Sequence, residues 1–108
     1  MNRFLIFITT LCIINQVNAQ LDVDALMDAM QNSTRPSADV ERDPNRKAPE
    51  VLSFLGLEEG MTALDLVAIG GWYTEVLSYA VGESGEVIMQ NNPGRLVDNN
   101  IDQITDRL

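Results

Sequence analysis

The sequence predicts a small α/β fold, in which two short parallel strands are joined by a crossover helix and preceded by short helices. Residues 61–68 and 86–90 are apolar runs with the length and the flanking turns of buried strands. Residues 72–81, between them, space their apolar side chains as a helix does. A strand, a helix and a second strand form the βαβ unit of a parallel sheet, whose two faces are ordinarily covered.

The first nineteen residues have the layout of a secretory signal peptide. Arg3 supplies a positive charge, an apolar run follows over 4–14, and Val17 and Ala19 are small residues where a signal peptidase cuts. The run is shorter than the roughly 20 residues that a bilayer-spanning helix needs. An uncleaved anchor and a buried first helix are the alternatives. We expect cleavage before Gln20, a periplasmic or extracellular location, and no stable membrane span after cleavage.

A helix and a polar connector are predicted next. Residues 21–31 show the i, i+3, i+4, i+7 apolar spacing of an amphipathic helix, in which Met27 and Met30 are expected to be buried. Residues 38–47 mix both signs of charge around Pro44. Because proline interrupts a helix, we expect a helical turn there, followed by a polar connector.

Two further helices flank the predicted strands. Pro49 and Gly56 mark the start and the end of a short helix before the first strand. Its expected apolar face consists of Val51, Leu52 and Leu55. Trp72 begins the crossover helix, and we expect it in the core rather than as the wall of a pocket. The last segment has helical spacing at Val97, Ile101, Ile104 and Leu108. Because this pattern still runs at the last residue, we expect the chain to be part of a larger fold.

The composition excludes several classes of function. Asp and Glu number 16 against 7 Lys and Arg, a net charge of -9, so binding of nucleic acid through a basic face is not expected. The chain has no histidine, which excludes a Ser-His-Asp or Cys-His nucleophile system and a His-ligated zinc within it. Cys12 is the one cysteine, so no internal disulfide can form and no metal site is implied.

Residues suited to ligand binding follow the first predicted strand. Asp65 lies near its carboxyl end, where open α/β sheets bind ligands. Gly70 and Gly71 follow, at the start of the predicted helix. The first N–H groups of a helix are unpaired, and glycines let a ligand approach the backbone closely. The alternative is that the glycines only make a tight turn. The dinucleotide pattern G-x-G-x-x-G is absent, which argues against NAD or FAD.

The segment from about residue 35 onwards resembles a group of exported class I S-adenosylmethionine-dependent methyltransferases. The resemblance lies in APEVLSFLGLEEGMTALDL, in GGWYTE and in the GESG turn before the second strand. It implies a Rossmann-like sheet of which this chain holds the N-terminal portion, with S-adenosylmethionine as methyl donor. The chain then divides into a signal peptide (1–19), a helical and polar extension (20–48) and a partial methyltransferase domain (49–108).

The resemblance also implies roles for individual residues. Asp65 matches the acidic residue that holds the amino-acid end of the donor, and Gly70 and Gly71 match glycines on which the donor lies. Asn91 stands where many of these enzymes have an acidic residue for the ribose hydroxyls. Val67 and Ile69 depart from the pattern acid-x-Gly-x-Gly-x-Gly and narrow the space for a ligand. The methyl acceptor and the catalytic residues stay unassigned.

Those departures support a rival hypothesis. Under this hypothesis the chain is a non-catalytic exported α/β scaffold or interaction protein that has lost methyltransferase chemistry. A sheet of two strands leaves one strand edge and one sheet face short of partners, and exposed edges recruit other chains. We therefore expect self-association through the sheet edge, or weak thermal cooperativity, when the chain is studied alone.

Overall fold

The structure is a computed structural model that describes residues 20–31, 34–95, 102 and 104–106. It is an α/β chain with a layer of helices and a two-stranded parallel sheet. The elements are α1 (Val23–Met30), α2 (Ser37–Val40), α3 (Asp43–Arg46), α4 (Ala48–Phe54), β1 (Thr62–Leu66), α5 (Trp72–Val81) and β2 (Glu86–Gln90), with a 3-10 turn at Pro93–Arg95. The predicted signal peptide and most of the predicted last helix lie outside the described residues. No helix within the described ranges has the length and apolar character of a membrane span.

Helix α1 forms where the apolar spacing predicts it. Asp22 caps its start, since Oδ1 accepts a hydrogen bond from the backbone N–H of Ala25 at 3.0 Å. Leu26 and Met30 are buried, as expected for Met30. The same expectation is wrong for Met27, which is 43% exposed. Met27 lies beside the narrow stripe of α1 that contacts the other helices.

The charged segment after α1 is more helical than predicted. In place of a turn and a connector it forms α2 and α3, two helices of four residues each. Lys47 then takes a left-handed φ of 48° between α3 and α4. Of the three residues predicted to form the apolar face of α4, Leu52 is buried. The prediction is wrong for Val51 and Leu55, which are exposed. Only one edge of this two-turn helix reaches the core.

The βαβ unit has the predicted bounds and direction. Helix α5 and strand β2 coincide with the predicted segments 72–81 and 86–90, and β1 is the central part of 61–68. β1 pairs with β2 in parallel, in a register that runs from Thr62 opposite Glu86 to Leu66 opposite Gln90. The carboxyl ends of both strands therefore meet at the same edge of the sheet.

The two faces of the sheet have different surroundings. One face packs on α5 and carries Ala63, Asp65, Val87 and Met89, all half-buried. The other face carries Leu64, Leu66 and Ile88, which are 55%, 66% and 47% exposed. The described strands are therefore covered on one face, and the other face lacks partners, as expected for a sheet of only two strands. We call this second side the open face of the sheet.

The hydrophobic core lies between helices. Its buried members come from α1, α4 and α5, and partly buried strand residues pack against them. They are Leu26, Met30, Ala48, Leu52, Trp72, Val76, Leu77 and Ala80. Trp72 is 5% exposed, so its expected place in the core is confirmed. Residues 20–48 contribute to the same core as the βαβ unit, which fixes them beside the carboxyl end of β1.

Candidate functional site

A cleft of about 820 Å³ lies at the carboxyl end of β1. One part of its lining is the strand end and the loop after it, residues 65–70, and another is the start of α5. A third part comes from the α2–α3 segment, through Asp39, Arg42 and Arg46, and Asp106 also borders the cleft. Its volume is within the range of roughly 300–1,000 Å³ that is common for small-molecule pockets. This is the edge of an open α/β sheet at which ligands usually bind.

Asp65 lies in this cleft, held by one hydrogen bond. It is the fourth residue of β1 and is half-buried. Its Oδ2 accepts a hydrogen bond of 2.7 Å from the hydroxyl of Thr74, which is buried in the first turn of α5. A carboxylate has about four acceptor positions, so most of its capacity is left for a ligand. Thr74 thus positions the carboxylate without using it up.

The loop between β1 and α5 has an unusual backbone. Val67, Ile69 and Gly71 have left-handed φ angles of 60°, 55° and 81° at alternate positions. Glycine takes this conformation freely, whereas a β-branched residue in it is a clear outlier that costs roughly 1–2 kcal/mol. The loop therefore has the backbone form of a glycine-rich loop, although two of its three left-handed residues are not glycine.

Asn91 holds this loop in place. Its Oδ1 accepts a hydrogen bond of 2.7 Å from the N–H of Ile69, and its Nδ2 donates to the carbonyl of Ile69 at 3.3 Å. Gln90 adds a third bond, because its Oε1 accepts from the N–H of Val67 at 3.2 Å. Both ends of the Asn91 amide are thus paired with one residue of the loop. No sequence signal indicates this pairing, since the partners lie 22 residues apart.

Arg35 joins the helices that form the cleft wall, and sequence reasoning overlooked it. Its side chain is fully buried. The guanidinium donates to Asp43 at 2.6 and 3.2 Å and to the carbonyl of Met30 at 2.5 Å, and its Nε lies 3.5 Å from Glu75 Oε2. Burial lowers the pKa of Arg35, but the hydrogen bond to Asp43 and the charges of Asp43 and Glu75 outweigh that effect and raise it. The bonds connect the end of α1, α3 and α5.

Trp72 gives the cleft a rigid aromatic surface. Its Nε1 donates to the carbonyl of Asp39 at 3.4 Å, and Tyr73 packs edge-on at 4.8 Å between ring centroids. The guanidinium of Arg46 lies 4.5 Å from the Trp72 ring centroid and that of Arg35 lies 5.9 Å away. These distances are typical of cation–π contacts. The indole and the two arginines thus fix the α2–α3 segment against α5.

The structure brings some of the predicted site residues together and separates others. Asp65 and Gly70 both line the cleft. Gly71 is the N-cap of α5 and borders a smaller cavity of about 210 Å³. Asn91 pairs with the loop instead of lining the cleft. Within the described residues, no group of three acidic or cysteine side chains is placed to hold a metal ion.

The arrangement provides binding groups of both charges around one cavity. Comparison with protein families, with curated proteins and with solved structures found no match to this chain.

Proposed function

We propose that the chain is the donor-binding portion of an exported class I S-adenosylmethionine-dependent methyltransferase with a Rossmann-like sheet. The observation that carries the proposal is the loop after β1, which is left-handed at Val67, Ile69 and Gly71. These are the three glycine positions of the acid-x-Gly-x-Gly-x-Gly pattern that begins at Asp65. The backbone has the form expected of that pattern even where the residues differ.

The cleft suits a zwitterionic donor. Asp65 has acceptor capacity left for the ammonium group of the donor's amino-acid end. The loop 66–70 lines the cleft with backbone against which an extended ligand can lie. The side chains of Val67 and Ile69 are exposed by about half and border the same cavity, so they reduce its width. When bound, the donor supplies a methyl group on a positively charged sulfur, and the chain's own residues bind and orient it.

The rival function is a non-catalytic exported scaffold. Two observations favour it: β-branched residues occupy two left-handed positions, and both ends of the Asn91 amide are engaged by Ile69. Asn91 could reach the ribose of a donor only with its remaining hydrogen and lone pair. Under this hypothesis the cleft persists as part of the fold and takes up no donor.

Titration calorimetry with S-adenosylhomocysteine, the demethylated donor, separates the two functions. We expect uptake by the chain and a tenfold to hundredfold loss of affinity in Asp65→Asn, since a charge-assisted hydrogen bond contributes about 1.5–3 kcal/mol. We expect Gly71→Val to be as damaging, because a β-branched residue would be forced into a left-handed N-cap. Glu83→Gln, in the exposed turn after α5, is the matched control and should bind as the unchanged chain does.

Circular dichroism must show that each variant is folded. Folded protein that takes up no S-adenosylhomocysteine at millimolar concentration would contradict the methyltransferase proposal and leave the scaffold. Export is tested separately, by N-terminal sequencing of secreted material. Under the proposal that sequence begins at Gln20, and a sequence that begins at Met1 would contradict cleavage.

A further inference from the structure

Two exposed arginines line the α2–α3 wall of the cleft. Arg42 precedes α3 as its N-cap and Arg46 is its last residue. Residues four apart lie on the same side of a helix, and both of these border the cavity of about 820 Å³. Lys47, the next residue along the chain, borders a different groove between α1 and α4. The two arginines therefore face one space together, apart from the neighbouring lysine.

These cations are unusual in a chain of net charge -9. Among the described residues, no carboxylate lies within ion-pair distance of Arg46, and Arg42 lies 3.9 Å from Asp39 Oδ1. The acids that line the same cleft include Glu75, which already meets Arg35 and the hydroxyl of Tyr79. Asp65 lies at the strand end, where it accepts a hydrogen bond from Thr74, and Asp106 is a further acid of the lining. Because Arg46 meets no carboxylate among the described residues and Arg42 meets Asp39 only at 3.9 Å, their positive charge is left for an anion.

Trp72 holds one of these arginines in a fixed position. The indole is buried and anchored through its Nε1 to the carbonyl of Asp39, and the Arg46 guanidinium lies 4.5 Å from its ring centroid. A guanidinium that stacks on an aromatic ring keeps its N–H groups in the plane, directed away from the ring. Such a planar edge matches the two oxygens of a carboxylate. Because Trp72 already restricts Arg46, this side chain loses less conformational freedom on binding an anion than a freely moving side chain does.

We propose that Arg42 and Arg46 bind the carboxylate of the methyl acceptor, so that the substrate is a small anionic molecule. This inference rests on the proposed function for the identity of the bound molecule. The donor also has a carboxylate, in its amino-acid end, and is the other source of this chemistry. We assign the arginines to the acceptor because the cleft volume is near the upper end of the single-ligand range and leaves space beside a donor held at Asp65.

The test uses benzoate as the probe and benzamide, of nearly the same shape but uncharged, as its control. Binding is followed by NMR titration in about 0.15 M salt, at which the long-range field of the acidic chain is screened. We expect benzoate to bind and benzamide to bind at least tenfold more weakly. Equal binding of the two probes would overturn the proposal, because recognition would then not depend on the charge.

Variants connect this binding to the two arginines. Arg42→Gln combined with Arg46→Gln should weaken benzoate at least tenfold, whereas the matched control Lys47→Gln should stay within twofold. Because Arg46 packs on Trp72, Arg42→Gln alone serves as the variant that leaves the indole contact intact, and we expect it to weaken benzoate severalfold. An equal loss in Lys47→Gln would show nonspecific attraction and overturn the proposal.

A final titration separates acceptor from donor. Benzoate is added to chain saturated with S-adenosylhomocysteine, and its affinity should change by less than threefold. Competition between benzoate and S-adenosylhomocysteine would assign the arginines to the donor carboxylate and overturn the acceptor assignment. Absence of S-adenosylhomocysteine uptake, with benzoate still bound, would contradict the proposed function and with it the identity of the anion as a methyl acceptor. The anion site is thus tested apart from the donor site.

Discussion

The two sides of the sheet differ in how far their apolar side chains are buried. On the helix-covered side, α1, α4 and α5 bury the core, and the buried Arg35 connects α1, α3 and α5. On the open face and in the loop after β1, Leu64, Leu66 and Val67 are all more than half exposed. The first region is organised for stability, whereas the second keeps exposed apolar side chains and left-handed valine and isoleucine at a cost to stability. The strained loop is thus the part of the second region that supports the proposed binding function.

The largest effect should come from the covered side. We expect Arg35→Met to lower the free energy of unfolding by about 3–5 kcal/mol, because it leaves the carboxylates of Asp43 and Glu75 without their buried partner. Urea denaturation measures this change. The matched control, Arg42→Met, removes a half-exposed charge and should cost less than about 1 kcal/mol.

The ionisation of Arg35 has a defined effect on how stability depends on pH. Because its pKa is raised in the folded chain, its contribution is fully present below the pKa of the unfolded chain. That contribution is lost only as the pH rises through the folded pKa, in strong alkali. Equal destabilisation by Arg35→Met and Arg42→Met would show that the buried contacts of Arg35 do not stabilise the covered side more than an exposed ion pair does.

A smaller effect is expected where β2 holds the loop. Asn91→Asp replaces the Nδ2 that donates to the carbonyl of Ile69 with an oxygen that cannot donate. We expect a loss of about 1 kcal/mol in the free energy of unfolding, the typical value of one hydrogen bond. The control is Asn92→Asp, because among the described contacts Asn92 uses only its oxygen, which accepts from the N–H of Gly94. If Asn91→Asp leaves stability unchanged, the amide does not hold the loop.

Two substitutions in the loop after β1 should raise the free energy of unfolding instead of lowering it. Val67→Gly and Ile69→Gly remove side chains from left-handed positions, which saves roughly 1–2 kcal/mol, while glycine costs about 0.5–1 kcal/mol in chain entropy. We therefore expect each change to stabilise the chain by roughly 0.5–1 kcal/mol in urea denaturation. Leu66→Gly, at an equally exposed position inside β1, should destabilise it. Destabilisation by all three would show that the loop is not strained.

The smallest effect on stability is expected on the open face. Ile88→Lys should change the free energy of unfolding by less than about 0.5 kcal/mol, because Ile88 is about half exposed. It should also reduce the predicted self-association, measured by sedimentation velocity, because a charge on an edge strand opposes pairing with another chain. Val87→Lys is the matched change on the covered face and should unfold much of the protein, since Val87 packs against the core. An unchanged association state in Ile88→Lys would contradict self-association through this sheet.

The sequence is informative about elements whose signals are local. Helix α5 and strand β2 have predictable bounds because apolar spacing and glycine turns define both ends within a few residues. The positions of Asp65 and Gly70 at the cleft are predictable for the same reason, because both depend on where the first strand ends.

The remaining features depend on residues far apart in the chain. Arg35 meets Glu75 forty positions away, and Asn91 meets Ile69 across the sheet edge. Charge patterning in 38–47 indicates a solvated connector, whereas Trp72 and Arg35 recruit that segment into the wall of the cleft. An uncovered sheet face is expected from a pattern of only two strands, but the apolar runs do not show which face it is, because what covers a strand is decided by its neighbours in space.

We propose that the strand-end loop and Asp65 together form a donor site. NMR titration of the nitrogen-15-labelled chain with S-adenosylhomocysteine tests it most directly, because each backbone amide reports separately. We predict shift changes concentrated at residues 65–71, lost in Asp65→Asn and enlarged in the combined Val67→Gly and Ile69→Gly variant, whose cleft is wider. Folded protein whose amides at 65–71 do not respond at millimolar ligand, or that responds only on the open face of the sheet, would contradict the claim.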